Sequence, residues 1–237
     1  MTEASRRAFL FGAGAAGLLI AGCAKTAAGE ASSPASGRDQ DDDDDVAPPE
    51  DLMREHGVLN RILLIYEEGA RRLDELQPLV IDVVAKSADI VQRFVEDYHE
   101  KLEEEFLFPR FEAANQLVEL VSTLRRQHLA GRALTETILR LSTAPAAQKD
   151  DDRRLLIATL RSFVRMYRPH EAREDTVLFP AFRTLVGKTE LHDLGAQFED
   201  KEHQLFGKDG FEGVVARVAV LEQALGTYDL NQFTPSP

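Results

Sequence analysis

The sequence of 237 residues is long enough for one well-packed domain with additional tails. Its 41 Asp and Glu residues outnumber its 28 Lys and Arg residues, and the net charge of -13 argues against nucleic acid as a partner. A single Cys rules out an internal disulfide bond, and the absence of Trp leaves a core of aliphatic side chains and Phe.

The N-terminal residues 1–23 have the features of an export signal. The segment Ser-Arg-Arg-Ala-Phe-Leu at residues 5–10 resembles the twin-arginine consensus, and the uncharged run that follows is short for a permanent membrane span. This run ends in Ile-Ala-Gly-Cys, a lipobox-like sequence in which Cys23 stands where an acylated cysteine would. We expect twin-arginine export to the extracytoplasmic face of a bacterial membrane or to the periplasm, with a lipid anchor at Cys23. An uncleaved anchor, or an ordinary signal with a coincidental Cys, stays open.

Residues 24–49 form a polar connection that is rich in Ala, Ser, Gly and Pro and contains the run Asp41–Asp45. A block of like charges is far more often solvated and disordered than a cation site. We therefore interpret these residues as a disordered acidic tether.

Residues 50–187 have the apolar periodicity of α-helices, with spacings that alternate between three and four. The pattern predicts a first helix over 50–76, a second that starts with Pro78 and stops at Pro109, and a third that ends near the loop at 142–145. A fourth helix is predicted from the acidic residues 150–152 to Pro180 or a few residues beyond, bent at Pro169. Four amphipathic helices with short connections predict an all-α, up-down-up-down four-helix bundle.

Residues 188–237 are expected to form a C-terminal helical extension and tail. One or two further helices, at about 191–206 and 211–226, are predicted to pack outside the bundle and to be separated at Gly207 and Gly210.

A motif with the frame His-Glu-x-x-Glu-[Glu/Asp]-x-x-Leu-Phe-Pro-x-Phe occurs twice, beginning at His99 and, 71 residues later, at His170. Within each copy the His and a Glu lie four residues apart, so that on a helix their side chains share one face. These pairs are His99 with Glu103 and His170 with Glu174. An imidazole and a carboxylate side by side, twice in one chain, form a typical metal-ligand pattern.

Each predicted bundle helix carries one His on its apolar face. The four residues are His56, His99, His128 and His170. Their spacing indicates two copies of one helical hairpin, which would bring four imidazoles and two carboxylates together at a pseudo-twofold axis. A single His on an apolar face is more often a hydrogen-bonded core residue, but burying this whole set without a cation would cost several kcal/mol. His192 and His203 lie outside these faces and are expected to be surface or packing residues.

The donor set suggests which metal would bind. Six mixed nitrogen and oxygen ligands suit two metal ions that share bridging carboxylates, and iron, or less favourably manganese, fits this set. Glu103 and Glu174 would bridge, and the imidazoles would supply about two nitrogens per ion. Glu100 and Glu171 directly follow the ligand His in each copy, and they could bind terminally or form hydrogen bonds to the ligands.

These residues resemble the hemerythrin-like family of His-His-Glu cation-binding bundles over about residues 50–185. The order of the motif differs from the Glu-x-x-His of ferritin-like di-iron bundles. The resemblance implies a bundle that binds two non-haem iron ions and a diatomic ligand such as oxygen or nitric oxide. Oxygen-carrying members use a fifth His, and Arg132 stands at that point here. They also use an Asp five residues after the fourth-helix His, which makes Asp175 a rival of Glu174 as the bridge.

A glycine and three tyrosines on or near the inward faces each have two possible roles. Gly131, one turn after His128, could leave room for a small ligand or for Arg132, or it could allow close helix packing. Three Tyr residues could donate hydrogen bonds to a metal-bound ligand, although filling the core is the favoured role. They are Tyr66, Tyr98 and Tyr167.

The sequence favours an exported di-iron protein that senses, stores or buffers iron, oxygen or nitric oxide. The alternative is a di-iron oxidase or peroxidase, which would need an external electron donor because no flavin, haem or nucleotide motif is present. A third hypothesis is a metal-free or metal-stabilised bundle that acts through its outer helices.

Overall fold

The computed structural model describes residues 47–235, so the predicted export signal with Cys23 and the run Asp41–Asp45 lie outside the described residues. The described part of the chain is helical and contains no strand, which confirms the all-α prediction. None of its helices is long and apolar enough to cross a membrane.

We number the seven helices of the described residues α1 to α7. Helix α1 is Pro48–Asp74, α2 covers residues 81–113, α3 is Val118–Leu141, α4 is the short Ala144–Gln148, α5 covers residues 150–185, α6 is Lys188–Phe206 and α7 is Gly210–Leu225. A 3₁₀ turn, Leu230–Phe233, follows α7.

Helices α2 and α5 each join α-helical and π-helical segments without a break. In α2 the order is Ile81–Ile90, the π segment Val91–His99, Glu100–Leu102, the π segment Glu103–Leu107 and Phe108–Ala113. In α5 the order is Asp150–Arg173, the π segment Glu174–Leu178 and Phe179–Leu185.

Helices α1, α2, α3 and α5 form the bundle, in which α5 packs on both α1 and α3. The beginning of α1 contacts the end of α5, as the up-and-down order requires. Two Pro residues and two acidic residues open α1, and Arg71 and Arg72 lie in its last turn, so both ends suit the helix dipole. Helices α6 and α7 pack on the outside of α1, and α7 also contacts α2, as predicted for the C-terminal extension.

The sequence-based boundaries of the second helix were wrong at both ends. Leu76 adopts a left-handed φ of 54° after α1, and Pro78 lies in the connection before Ile81, where the helix begins. At the other end, the helix continues through Pro109 to Ala113. A proline ring clashes with the carbonyl four residues earlier in a regular α-helix, but the π segment Glu103–Leu107 covers that turn and widens it.

The bundle core contains an apolar layer on either side of its midpoint. On one side the rings of Phe111 and Phe182 lie 6.0 Å apart, and on the other Tyr66 and Phe163 meet edge to face at 5.2 Å. All four side chains are buried. The polar residues of the repeated motif lie between these layers.

Candidate metal centre

Six side chains with metal-binding atoms meet at the midpoint of the bundle, and none of them is more than 4% exposed. They are His56 from α1, His99 and Glu103 from α2, His128 from α3, and His170 and Glu174 from α5. The structure thus brings together every residue of the predicted primary set.

The four imidazoles turn their Nε2 atoms toward the two carboxylates. One oxygen of Glu174 lies 3.1 Å from Nε2 of His170 and 3.4 Å from Nε2 of His56. The Glu103 oxygens lie 3.4 Å from Nε2 of His128 and 3.9 Å from Nε2 of His99. Each carboxylate therefore faces the His of its own motif and the first His of the other half of the chain.

The donor atoms form two groups that share Glu103. The first cluster comprises His56, His99 and Glu103, and the second cluster comprises Glu103, His128, His170 and Glu174. Within each cluster, ligand atoms lie within 4.8 Å of one another. Two adjacent sites with a shared carboxylate have the arrangement expected for a pair of metal ions.

Every imidazole is held from behind through its Nδ1 atom. The Nδ1 atoms of His56 and His128 lie 2.8 and 3.1 Å from Asp175 and Glu104, respectively. In the other two contacts, Nδ1 of His99 lies 2.7 Å from Glu55 and Nδ1 of His170 lies 3.0 Å from Gln127. Because these oxygens accept a hydrogen bond from Nδ1, they fix the tautomer that leaves Nε2 free for a metal ion.

The sixth residue of each motif orients a histidine from the opposite half of the chain. Glu104, from the first motif, contacts His128, and Asp175, from the second, contacts His56. Asp175 is thus placed behind the imidazole, whereas Glu174 lies in the centre. This geometry favours Glu174 over Asp175 as the bridging residue.

The second residue of each motif also pairs across the two halves. Glu100 accepts hydrogen bonds from the hydroxyl of Tyr167 and from Arg132, both at 2.8 Å, and Glu171 accepts one from the amide of Asn60. Burial raises the pKa of both carboxyl groups to about 8. These contacts place Glu100 and Glu171 around the cluster and not within either group of candidate ligands.

Arg132 stands where the resemblance implies a fifth His. Its guanidinium group forms ion pairs with two carboxylates. Its Nη2 atom lies 2.8 Å from Glu100 and 2.7 Å from Glu104. A cationic guanidinium in these contacts cannot serve as a metal ligand.

Gly131 makes room for a side chain of the bundle itself. A Cβ atom at this residue would lie 1.9 Å from the hydroxyl oxygen of Tyr167. The glycine therefore allows Tyr167 to reach Glu100, which decides between the ligand-space and close-packing interpretations in favour of packing. Tyr66 and Tyr98 are buried as well, in agreement with core filling.

The same local structure surrounds both motif copies. In each copy a π segment begins at the central carboxylate, Glu103 or Glu174, and ends at the Leu of the Leu-Phe-Pro sequence. The Phe of that sequence stacks on the first His of the other half: Phe108 lies 5.5 Å from His128, and Phe179 lies 5.5 Å from His56. π turns in helices recur at functional sites.

Comparison with known proteins gives the same assignment as the geometry. The family model of the hemerythrin HHE cation binding domain matches residues 47–143 and again residues 132–233. The chain belongs to the hemerythrin family. It is 51% identical over 191 residues to uncharacterized proteins of Mycobacterium tuberculosis and Mycobacterium bovis, a stretch that covers 81% of this chain and 75% of each relative. No solved structure matches the chain.

The central carboxyl groups of this hemerythrin-family protein differ in protonation. Burial and the nearby Glu174 raise the pKa of Glu103 well above its usual range. Burial also opposes ionisation of Glu174, but His170 and His56 outweigh it and hold the pKa of this carboxyl below its usual range. Without a metal, the centre thus keeps one carboxylate ionised between two imidazoles and the other protonated.

The pKa values of His56 and His99 are also shifted in opposite directions. Burial lowers the pKa of His56, but its hydrogen bond to Asp175 and the nearby Glu174 carboxylate outweigh burial and raise it to about 10. Burial and the neighbouring His56 lower the pKa of His99 well below its usual value. A cation that enters the hemerythrin centre must therefore displace protons from His56 and Glu103.

Several buried atoms of the centre have the properties of vacant ligands. Both oxygens of Glu103, both oxygens of Glu174 and Nε2 of His128 form no hydrogen bond within the described residues. Leaving such groups buried and unsatisfied is costly, and a cation would satisfy all of them. The residues present therefore fit a metal pair.

Sequence reasoning missed the residues that orient the histidines, and it placed the remaining two histidines correctly. Glu55 and Gln127 each directly precede the first His of a hairpin, and Asn60 and Arg132 each follow that His by four residues, so their equivalent places in the repeat were a usable signal. His192 and His203 are exposed on α6, as predicted.

Proposed function

We propose that this hemerythrin-family protein binds two non-haem iron ions and uses them to sense, store or buffer iron, oxygen or nitric oxide. The observation that carries this proposal is the pair of buried donor clusters that share Glu103. Nitrogen and carboxylate oxygen donors without thiolate suit iron, and manganese less well.

In this proposal, each ion takes two imidazole nitrogens from one half of the bundle. His56 and His99 would hold one ion, and His128 and His170 the other. Glu103 and Glu174 would lie between the ions. The bound pair would supply reversible redox change and open coordination sites for a small molecule.

The residues around the centre support a small ligand and a dry site. Its six candidate ligands are at most 4% exposed, and Phe108 and Phe179 cover two of the imidazoles. Such an enclosure favours a diatomic molecule over a large substrate. The contacts of Arg132 with Glu100 and Glu104, in place of a fifth His ligand, favour sensing, storage or redox roles over oxygen carriage.

The test is an iron count on the full chain, loaded with ferrous iron without air. We expect two ions per chain, and none for the double variant His99→Ala/His170→Ala, which removes one imidazole from each cluster. The matched control is His192→Ala/His203→Ala, which removes two exposed imidazoles and should keep two ions. Equal iron in both double variants would contradict the assignment of the site.

Admitting oxygen or nitric oxide to the loaded chain then separates the functions. A spectral change without sustained consumption supports sensing or buffering. Sustained consumption of oxygen or peroxide with an added electron donor supports the oxidase or peroxidase alternative.

We also propose export by the twin-arginine route with a lipid on Cys23. The support is the sequence of residues 1–23 together with a buried metal site, because this route carries folded proteins and would allow metal loading before export. Cys23→Ser should release the chain from the membrane fraction, and an unchanged distribution would contradict the lipid anchor.

A further inference from the structure

We propose that the two clusters bind their cations unequally, and that the first cluster, His56, His99 and Glu103, is the tighter one. The inference rests on the proposed two-metal centre. It concerns the residues that surround the imidazoles, because the ligands themselves are nearly the same: two imidazoles for each ion, with Glu103 and Glu174 each facing both halves.

The hydrogen-bond acceptors behind the imidazoles break the symmetry of the repeat. Both imidazoles of the first cluster have a carboxylate behind Nδ1, from Asp175 and Glu55. In the second cluster His128 has a carboxylate, but His170 has the uncharged amide of Gln127. A carboxylate that accepts from Nδ1 makes the imidazole a more basic ligand than an amide does.

Basic residues near the centre also make the surroundings of the two clusters different. The carboxylate of Glu104, behind His128, contacts Arg132 at 2.7 Å and Lys101 at 2.6 Å. The equivalent residues in the other half of the repeat are Asn60 and Ala172, which carry no charge. Glu104 behind the second cluster therefore has two basic partners besides His128, whereas Asp175 behind the first cluster contacts no Lys or Arg among the described residues.

More carboxylates approach the first cluster from outside the bundle. Oxygens of Asp51 and Glu202 lie within 4.8 Å of Glu55, which contacts His99. Glu202 belongs to α6 and is buried, so the outer helix adds a carboxyl group to this side of the centre. Asp51 also pairs with Arg54 at 3.2 Å, whereas Glu55 contacts His99 directly.

These contacts have one electrostatic consequence. The first cluster has two carboxylates behind its imidazoles and no Lys or Arg beside them among the described residues, whereas the second has one carboxylate with two basic partners. In a buried site, where charges are poorly screened, a cation is more stable in the first cluster. The first ion to bind should therefore enter there.

The test is a calorimetric titration of the metal-free full chain with Zn²⁺, a redox-silent probe of both sites. We expect two steps of unequal affinity. Glu55→Gln keeps a hydrogen-bond acceptor but replaces the carboxyl group behind His99 with an amide, and it should weaken the tighter step by about 10- to 100-fold. Gln127→Glu places a carboxyl group behind His170, as Glu55 does behind His99, and it should strengthen the weaker step by a similar factor, so that the two steps converge.

The matched control is Gln204→Glu, which adds the same charge on the exposed surface of α6 and should leave both steps unchanged. Equal steps in the unaltered chain would overturn the inference. The inference would also be overturned if Glu55→Gln altered the affinity of the weaker step, or if Gln127→Glu altered the affinity of the tighter step. Binding of fewer than two ions would instead contradict the two-metal centre. If Glu55→Gln fails to fold, Gln127→Glu tests the inference alone.

Discussion

The middle of the bundle and the apolar layers beside it belong to the same four helices but stabilise the protein in different ways. The layer of Phe111 and Phe182 and the layer of Tyr66 and Phe163 bury apolar surface, which favours the folded state at any pH. The centre instead buries carboxylates and imidazoles, several of whose atoms have no hydrogen-bond partner among the described residues. The apolar layers therefore stabilise the folded chain, whereas the buried polar groups of the centre would gain partners from a bound cation.

The largest effect should come from removing an aromatic ring from an apolar layer. Phe182→Ala leaves a cavity opposite Phe111 and should lower the free energy of unfolding by about 3–5 kcal/mol. Urea unfolding would measure the change in metal-free protein. The iron content of the folded variant should stay at two, because the ring touches no candidate ligand.

Phe233→Ala is the control for that change, since this ring is 51% exposed. It should alter the free energy of unfolding by about 0.5 kcal/mol or less. Loss of iron from folded Phe182→Ala would contradict the prediction that the apolar layer stabilises the fold without affecting metal binding at the centre.

An intermediate effect is expected where a layer meets the centre. Gly131→Ala places a Cβ atom 1.9 Å from the hydroxyl of Tyr167, and the displaced ring should lower the free energy of unfolding by about 1–3 kcal/mol. Thermal unfolding would measure this change. Adding Tyr167→Phe should restore only part of the loss, since the ring carbon nearest the new Cβ still lies at 2.8 Å.

Gly57→Ala is the matched control in α1, because nothing lies within 4 Å of its Cβ position. It should be neutral or stabilising by up to about 1 kcal/mol, as a helical alanine is. Equal behaviour of the two alanine variants would contradict the packing role assigned to Gly131.

The smallest effect, and the one confined to the centre, is the response of metal affinity to pH. In the metal-free protein the pKa of His56 is raised to about 10 and that of Glu103 lies well above its usual range, so both hold protons near neutral pH. A cation must displace them, and its affinity should rise with pH by up to about tenfold per unit for each proton. Competition with a chelator at about pH 7 and about pH 8 would measure the slope.

Asp175→Asn sharpens that measurement. The amide still accepts from His56 but no longer supports its positive charge, so the pKa of His56 should fall and the slope should become shallower. A slope that is absent in the unaltered chain, or unchanged in the variant, would contradict the protonation pattern of the centre.

The comparison also shows which features sequence could predict. The candidate ligands were predictable because a helix places residues four apart on one face, which pairs His99 with Glu103 and His170 with Glu174. The residues behind them occupy equivalent places in the repeat but differ in chemical type, since Glu55 corresponds to Gln127 and Asn60 to Arg132. Their places could be found from the sequence, whereas their contacts required the structure.

The helix boundaries failed for a different physical reason. The π segment Glu103–Leu107 widens α2 before Pro109, and a π turn is not among the regular helix periods that the sequence was compared with. The prediction of a stop at Pro109 rested on regular α-helical geometry. The preference for Glu174 over Asp175 as the bridging residue likewise rests on side-chain placement and not on spacing.

The hydrogen bonds that cross between the halves make the centre an all-or-none assembly. His56 is oriented by Asp175 and His128 by Glu104, so neither hairpin can aim its own first histidine. A chain with only one hairpin folded presents a first histidine that is free to rotate and a carboxylate without its second partner. Capture of a cation by this centre therefore reports that both hairpins have folded and docked.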